Sequence, residues 1–292
     1  MVKNDRGFQV AVNIIMIILC LICVCPFLLL ISSSLTADNE LVKNGYSFIP
    51  KKLDLTAYKY LIFGSKSIIR GYGISILVTV TGTFCSLVLT TLFAYPLSRK
   101  NLPGRNFFAF FIFFTMLFNG GLVPTYIMWT QIFHIKNTIW ALIVPGLLMN
   151  AFNVIMMRSY LTTNIPEEVI EAAKADGAGE VKTLLQIVLP MSKPIIATLV
   201  LLIGLGYWND WLNGLYYLNN DSLYSIQVLL NKMLQNVEMI KNAASSGAAT
   251  MKLPSTSIRM AVAVIGALPV LIIYPFFQKY FVKGIVVGAV KG

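Results

Sequence analysis

The chain has 292 residues, 57% of them hydrophobic and 12% charged, with a mean hydropathy of +0.74. An average soluble domain carries about 25% charged residues, so an ordinary soluble globular protein and a disordered chain are both excluded. The formal charge is +11, which in a membrane protein reads as loop charge meeting anionic lipid and orienting the chain, and not as a nucleic-acid surface.

The first apolar run, Phe8–Ile31, follows Lys3 and Arg6. It is too long for a signal-peptide core and has no small-residue cleavage site before Ala37, so a retained helix is expected. Cys20, Cys23 and Cys25 lie inside it without the polar neighbours that hold metal-ligating thiolates. The only histidine is His134, and no metal site is expected. The Ser32–Arg70 loop is basic and reads as holding an amphipathic helix around Leu55–Phe63. Further spans are expected at Tyr72–Leu97, Phe107–Phe133, Thr138–Tyr160, Pro194–Leu218 and Ile258–Tyr280. Each is long enough to cross about 30 Å of hydrocarbon at roughly 1.5 Å per residue. The third is interrupted by Asn119-Gly120-Gly121 and Pro124, which predicts two half-helices or a sharp kink.

The turn Ser98–Arg105 carries three positive charges and no negative one, which marks it as cytoplasmic. Alternation then puts both termini and the Tyr160–Lys193 loop inside. The tally is nearly even, 12 basic residues inside and 11 outside, so the short turn carries the orientation.

The Tyr160–Lys193 loop is the most informative stretch. Pro166 suits the first position of a helix, and Glu167 and Glu168 suit its positive end. Val169, Ala172 and Ala173 fall on one face at helical spacing. Gly177 fits the left-handed residue that ends a helix. A second helix is expected from Glu180 to about Leu189, ending at Pro190. A net acidic helix would be repelled by anionic lipid, whereas a protein groove accommodates small residues and acids together. The stretch Gly177–Thr183 lacks the second glycine of a phosphate loop before Lys182, so the chain is not expected to bind ATP on its own.

Glu171-Ala172-Ala173, three residues, Gly177, nine residues and then Ile187-Val188-Leu189-Pro190 resembles the signature of the membrane subunits of binding-protein-dependent ABC importers. Ala94–Arg99 with Pro103-Gly104-Arg105, Gly120–Tyr126 and Trp208-Asn209-Asp210-Trp211 are similar to the carbohydrate branch of that family. The tail Val282–Gly292 resembles the end of the second maltose-importer membrane subunit, and Gly120-Gly121 resembles the Gram-positive oligosaccharide/lipoprotein-type permeases. The resemblance spans essentially the whole chain.

The resemblance implies an all-α polytopic membrane protein, with the six transmembrane helices of the type I ABC importer permease fold and a cytoplasmic coupling helix. Residues 1–70 would form the first span and an extracellular loop. Residues 71–281 would form a five-helix core with coupling loop 160–193 and extracellular loop 219–257, and 282–292 a cytoplasmic tail. Implied partners are a second homologous permease, two ATPase subunits that bind the ATP and magnesium, an extracellular solute-binding lipoprotein, and a sugar, expected to be an oligosaccharide. The chain itself would hold no cofactor, bind no nucleic acid, and sit among the lipids of a bacterial plasma membrane. ATPase coupling would fall to Glu168, Glu171, Ala172, Ala173, Asp176, Gly177, Leu189 and Pro190, with a tail contact through Gly288, Lys291 and Gly292.

Polar groups inside a span are costly and usually face a cavity, which makes Asn119, Asn150, Asn153, Trp208, Asn209, Asp210 and Asn213 candidates for the substrate pathway. For the aromatic residues an interfacial belt is the alternative. The small residues of Asn242–Thr250 would, by the resemblance, reach the binding protein. A permease for a non-sugar solute is the alternative reading. A membrane-embedded enzyme would need a nucleophile–base pair, a metal set or paired acids in the spans. A secondary transporter would show internal repeats or intramembrane acids. The sequence has no such catalytic set, no internal repeat and, beside the single Asp210, no intramembrane acid.

Overall fold

The computed structural model describes residues 6–64, 66–245 and 256–289. Among these residues the regular structure is helical, apart from an isolated antiparallel bridge between Thr36 and Leu53. A helix satisfies its backbone groups internally, which hydrocarbon demands. The chain divides into two compact units, residues 1–69 with 229–269, and residues 70–228 with 270–292.

In the first unit, α1 (Arg6–Ser34) has a continuous apolar core that no described part of the chain covers. Its surface calls for an apolar solvent. It ends in three buried serines, Ser32, Ser33 and Ser34. Ser32 donates to the Ser47 carbonyl at 2.7 Å, and Ser34 shares a 2.7 Å hydrogen bond with the Tyr58 hydroxyl. Two short helices follow, α2 (Asp38–Asn44) and α3 (Thr56–Lys59), the latter running into a π-turn over Tyr60–Gly64. That places a helix where the amphipathic segment is expected.

In the second unit, α4 (Lys66–Ser98) carries Pro96 in its last turn. Next come α5 (Arg105–Leu117) and α6 (Leu122–Ile127), which continues as a π-turn over Met128–Ile132. The two halves meet at 111°, with Gly121 at φ +87° in the bend. The third span is therefore broken where Asn119-Gly120-Gly121 predicts.

The fourth expected span is not continuous. After α7 (Trp140–Ile143) the helix gives way until α8 (Ala151–Asn164). Pro145 has no N–H to donate, and Gly146 takes a left-handed φ of +71°. Asn150 restarts the helix, its side chain accepting from the N–H groups of Phe152 and Asn153 at 2.9 and 3.4 Å.

Then follow α9 (Glu167–Ala175), α10 (Glu180–Thr183), a π-turn over Leu184–Val188, α11 (Leu189–Met191) and α12 (Lys193–Asn209). The expected stop at Pro190 is displaced to Ser192, where the axis turns by 84°. Pro190 stands in the first turn of α11, where its missing N–H breaks little. Pro166, expected as the first helical residue, stands one residue before α9 and makes no capping hydrogen bond. The remaining helices are α13 (Leu212–Tyr217), α14 (Ile226–Ser245) and α15 (Thr256–Ala289). α15 passes the expected end at Tyr280 and carries residues 282–289 of the tail as helix. Lys291, Gly292 and Ser246–Thr250 lie outside the described residues.

Three described helices are long and apolar enough to cross a membrane, five segments if each bent pair counts as one. The α7–α8 stretch, expected as the fourth span, is not among them. Two helices of the second unit touch at Gly82 on α4. A Cβ there would stand 2.5 Å from the ring of Tyr207 on α12, whose hydroxyl donates to the Ile143 carbonyl at 2.9 Å. Small residues allow this close approach in membrane helices.

Candidate functional site

The site is built on α9 and the turn that ends it. Glu167 and Glu168 open the helix and Lys174 closes it, each suited to the dipole at its end. Gly177 takes φ +78°. Its N–H donates to the Lys174 carbonyl at 3.0 Å, and that of Ala178 donates to the Ala173 carbonyl at 2.9 Å. This is a Schellman turn, and a residue with a Cβ would strain it.

Helical spacing puts Val169, Ala172 and Ala173 on one face. The structure divides them. Ile170 and Ala173 are buried, and Glu168, Glu171, Ala172 and Ala175 are exposed. Ile170, the bulkiest apolar side chain of α9, turns inward and takes Ala173 with it one helical step on. The face left open is small and acidic. Glu171 makes no hydrogen bond or ion pair among the described residues, so its carboxylate is available to a partner. Asp176 and Pro190 are exposed and Leu189 is half-buried.

α9 is braced against the end of α4. The Tyr95 hydroxyl donates to Glu180 Oε2 at 2.8 Å, and Lys174 Nζ meets Glu180 Oε1 at 2.7 Å. Glu180 therefore joins α4, the end of α9 and the start of α10. A second tie runs from Lys100 Nζ to Glu167 Oε2 at 2.7 Å. The hydrogen bond from Lys100 holds the Glu167 carboxyl below its usual range and raises the ammonium of Lys100 in turn. The Arg99 guanidinium carbon stands 4.8 Å from the Tyr95 ring centroid, a cation–π contact. Its Nε and one terminal nitrogen are buried without a hydrogen-bond partner. Burial lowers its pKa against the pull of Tyr95, Glu180 and Glu167.

These side chains surround a cleft of about 480 Å³ whose walls include Tyr95, Arg99, Glu167, Glu171, Lys174 and Glu180. Tyr95, Arg99 and Lys100 belong to the site although the loop sequence alone does not name them. The available signal was an aromatic and an arginine four positions apart at the end of a span, facing a loop rich in carboxylates.

The expected pathway residues sit elsewhere in the second unit. Asp210 Oδ1 accepts from the Asn213 N–H at 3.2 Å, and Asn213 Nδ2 donates to the Pro145 carbonyl at 3.0 Å. The fifth span is thereby tied to the unwound stretch between α7 and α8. Trp208 is buried with its ring centroid 6.0 Å from that of Tyr72. Asn209 is exposed and accepts from Gln227 at 3.5 Å. Asn153 is buried and Asn150 caps α8. Asn119 accepts from the Gly121 N–H at 2.8 Å in the bend of the third span. Asp210 and Asn213 come together; Asn119 stays apart from them. Gly288 lies in the helical backbone of α15. No group of three or more histidine, cysteine or carboxylate side chains able to hold a metal occurs among the described residues.

The chain as a whole is similar to known transport proteins. A family model described as binding-protein-dependent transport system inner membrane component matches residues 86–287. Protein LplC of Bacillus subtilis (strain 168) is 38% identical over 274 residues, 93% of this chain and 90% of that protein. The polygalacturonan/rhamnogalacturonan transport system permease protein YtcP of the same organism is 38% identical over 289 residues, 99% of this chain and all of that protein. A chain in the crystal structure of a bacterial ABC transporter involved in import of the acidic polysaccharide alginate superposes with a TM-score of 0.83 at 29% identity, covering 96% of this chain and 99% of that one.

Proposed function

This chain belongs to the family of binding-protein-dependent transport system inner membrane components, and from that membership we propose that it is the membrane subunit through which ATPase closure drives sugar import. It is a multi-pass membrane protein with the type I importer permease fold. Members of such a family work with another permease subunit, ATPases and a solute-binding protein. The finer assignments are ours: a companion permease different from this chain, two ATPase subunits below, and an extracellular lipoprotein above. Both termini and α9 face the cytoplasm, and this chain carries no ATPase site of its own.

The observation that carries the reading is the open face of α9, with Glu171 free and Gly177 ending the helix in a rigid turn. An ATPase groove would take that face. The coupling residues would be Glu168, Glu171, Ala172, Asp176 and Gly177, with Ala173 supporting from inside and Leu189 and Pro190 leading into the fifth span. Closure of the ATPases would move α9 as a body, because Glu180 and Glu167 tie it to the end of α4. A partner can shift such an equilibrium only by binding one state better than the other.

The proposed cargo is an oligosaccharide. Uronate-containing glycans are the first to test, because YtcP is named for polygalacturonan and the alginate importer for an acidic polysaccharide. Trp208, Asn209, Asp210, Asn213, Asn119, Asn150 and Asn153 are proposed to border its path. The tail through Gly288, Lys291 and Gly292 is proposed to reach the ATPases. Affinity purification on this chain tests the assembly. It should retain an ATPase and a second, different permease; a chain that purifies alone and transports without ATP contradicts the proposal.

A further inference from the structure

Arg105 opens α5 and Arg158 stands near the end of α8. Each spends its Nε on the same acceptor, the Leu97 carbonyl at the end of α4, at 3.0 and 3.1 Å. Their two Nε atoms are therefore held within about 6 Å of each other. Like charges at that separation repel. The α4 carbonyl end offsets only about half a charge. No carboxylate lies within 4.0 Å of either arginine among the described residues; Glu167 is near enough to feel Arg105 but is engaged by Lys100. The terminal nitrogens of both forks hydrogen-bond to no described protein acceptor.

What lies beside the pair names the missing charge. α5 runs from Arg105 straight into Phe107, Phe108, Phe110 and Phe111, each more than half exposed. Exposed aromatic side chains in that density form a wall for hydrocarbon, and the arginine pair stands at its foot. Arginine forks match the tetrahedral oxygens of a phosphate.

We propose that Arg105 and Arg158 bind a phosphate oxyanion supplied by the headgroup of an anionic phospholipid, whose acyl chains lie along the phenylalanine face of α5. The site takes no residue from the proposed cargo path or from the open face of α9, although Arg105 and Glu167 feel each other's charge. It ties a lipid to the junction of α4, α5 and α8, which Leu97 already brings together. A free phosphate would satisfy the charge but leave the aromatic wall without a function in binding.

The test is native mass spectrometry of the full chain purified in detergent, with phosphatidylglycerol or phosphatidylcholine added. The wild-type chain should retain phosphatidylglycerol preferentially. The Arg105→Gln/Arg158→Gln variant should lower that retention about tenfold or more and leave phosphatidylcholine unchanged. Excess inorganic phosphate should not displace the lipid. Equal retention by the double variant overturns the site. Displacement by inorganic phosphate overturns the lipid as its source. Lys182→Gln, an exposed charge removed elsewhere, should have no effect, and an equal loss there overturns the assignment to the pair. Arg158→Gln alone leaves Arg105 on Leu97 and should lower retention about threefold; it is read if the double variant does not fold, and unchanged retention then overturns the proposal.

Discussion

The Tyr95 hydroxyl and the Glu180 carboxylate, 85 positions apart in the chain, meet at 2.8 Å. Lys174 reaches the other oxygen of the same carboxylate. One acid thus fastens a membrane helix to both sides of the glycine turn. Removing the donor by Tyr95→Phe leaves the ring and its burial in place. A hydrogen bond to a charged group contributes about 1.5–3 kcal/mol, and the exposure of Glu180 puts this one at the low end. The expected result is a severalfold fall in sugar transported per ATP hydrolysed, with insertion unchanged. Measuring uptake and hydrolysis in the same vesicles checks it, and an unchanged ratio counts against the brace.

Gly177 has open space where a Cβ would stand, so a substitution there acts through the backbone alone. Gly177→Ala should cost about 1–2 kcal/mol at φ +78°. Gly177→Asn should cost less, since asparagine tolerates that region. Gly177→Pro should be the worst, losing both the φ and the N–H given to Lys174. Uptake rates in the order Gly, Asn, Ala, Pro are expected. A flat series would remove the turn from the mechanism.

Gly82→Ala should collide with the Tyr207 ring, which its own bond to Ile143 holds in place. Overpacking of this kind costs about 1–3 kcal/mol. Thermal unfolding of the purified chain should show a lower midpoint, and Tyr207→Leu in the same chain should recover part of it. A double-mutant cycle with no coupling between the two positions would contradict the contact.

The Lys100–Glu167 tie sets a pH window. The Glu167 pKa is depressed in the folded chain, so its contribution is complete above the ordinary carboxyl value and fades as pH falls through the depressed one. The Lys100 pKa is raised, so its contribution is complete below the ordinary lysine value and fades as pH rises through the raised one. A spin label at Ala175 in a cysteine-free chain should stay ordered across neutral pH and loosen at both extremes. Lys100→Met should loosen it at neutral pH. Identical mobility in the two chains would sink the idea.

Much of this is written in local sequence. The apolar runs, the broken third span and the left-handed Gly177 follow from composition, glycine placement and capping, which are local rules. The helix break at Pro145-Gly146 escaped because a proline and glycine in an apolar run can also be accommodated by a continuous kinked helix. Bonds from distant side chains to the freed carbonyls, Tyr207 to Ile143, Asn213 to Pro145 and Ser86 to Leu147, mark the unwound form. The inward turn of Ala173 was hidden for a similar reason. Helical spacing names the residues that share a face; it does not say which face the rest of the chain covers. Tyr95 and Arg99 look like interfacial anchors in sequence. Their part in the site depends on Glu180, which the fold brings to them.

The central claim is that Glu171 and its face pass the work of ATP hydrolysis to this chain. The direct measurement is oligosaccharide uptake into vesicles holding the complex purified on this chain, with its binding protein, for wild type and Glu171→Arg. Uptake should require ATP and fall at least tenfold in the variant, with the chain still inserted. Full uptake by Glu171→Arg, or transport by this chain without ATP, would contradict the account.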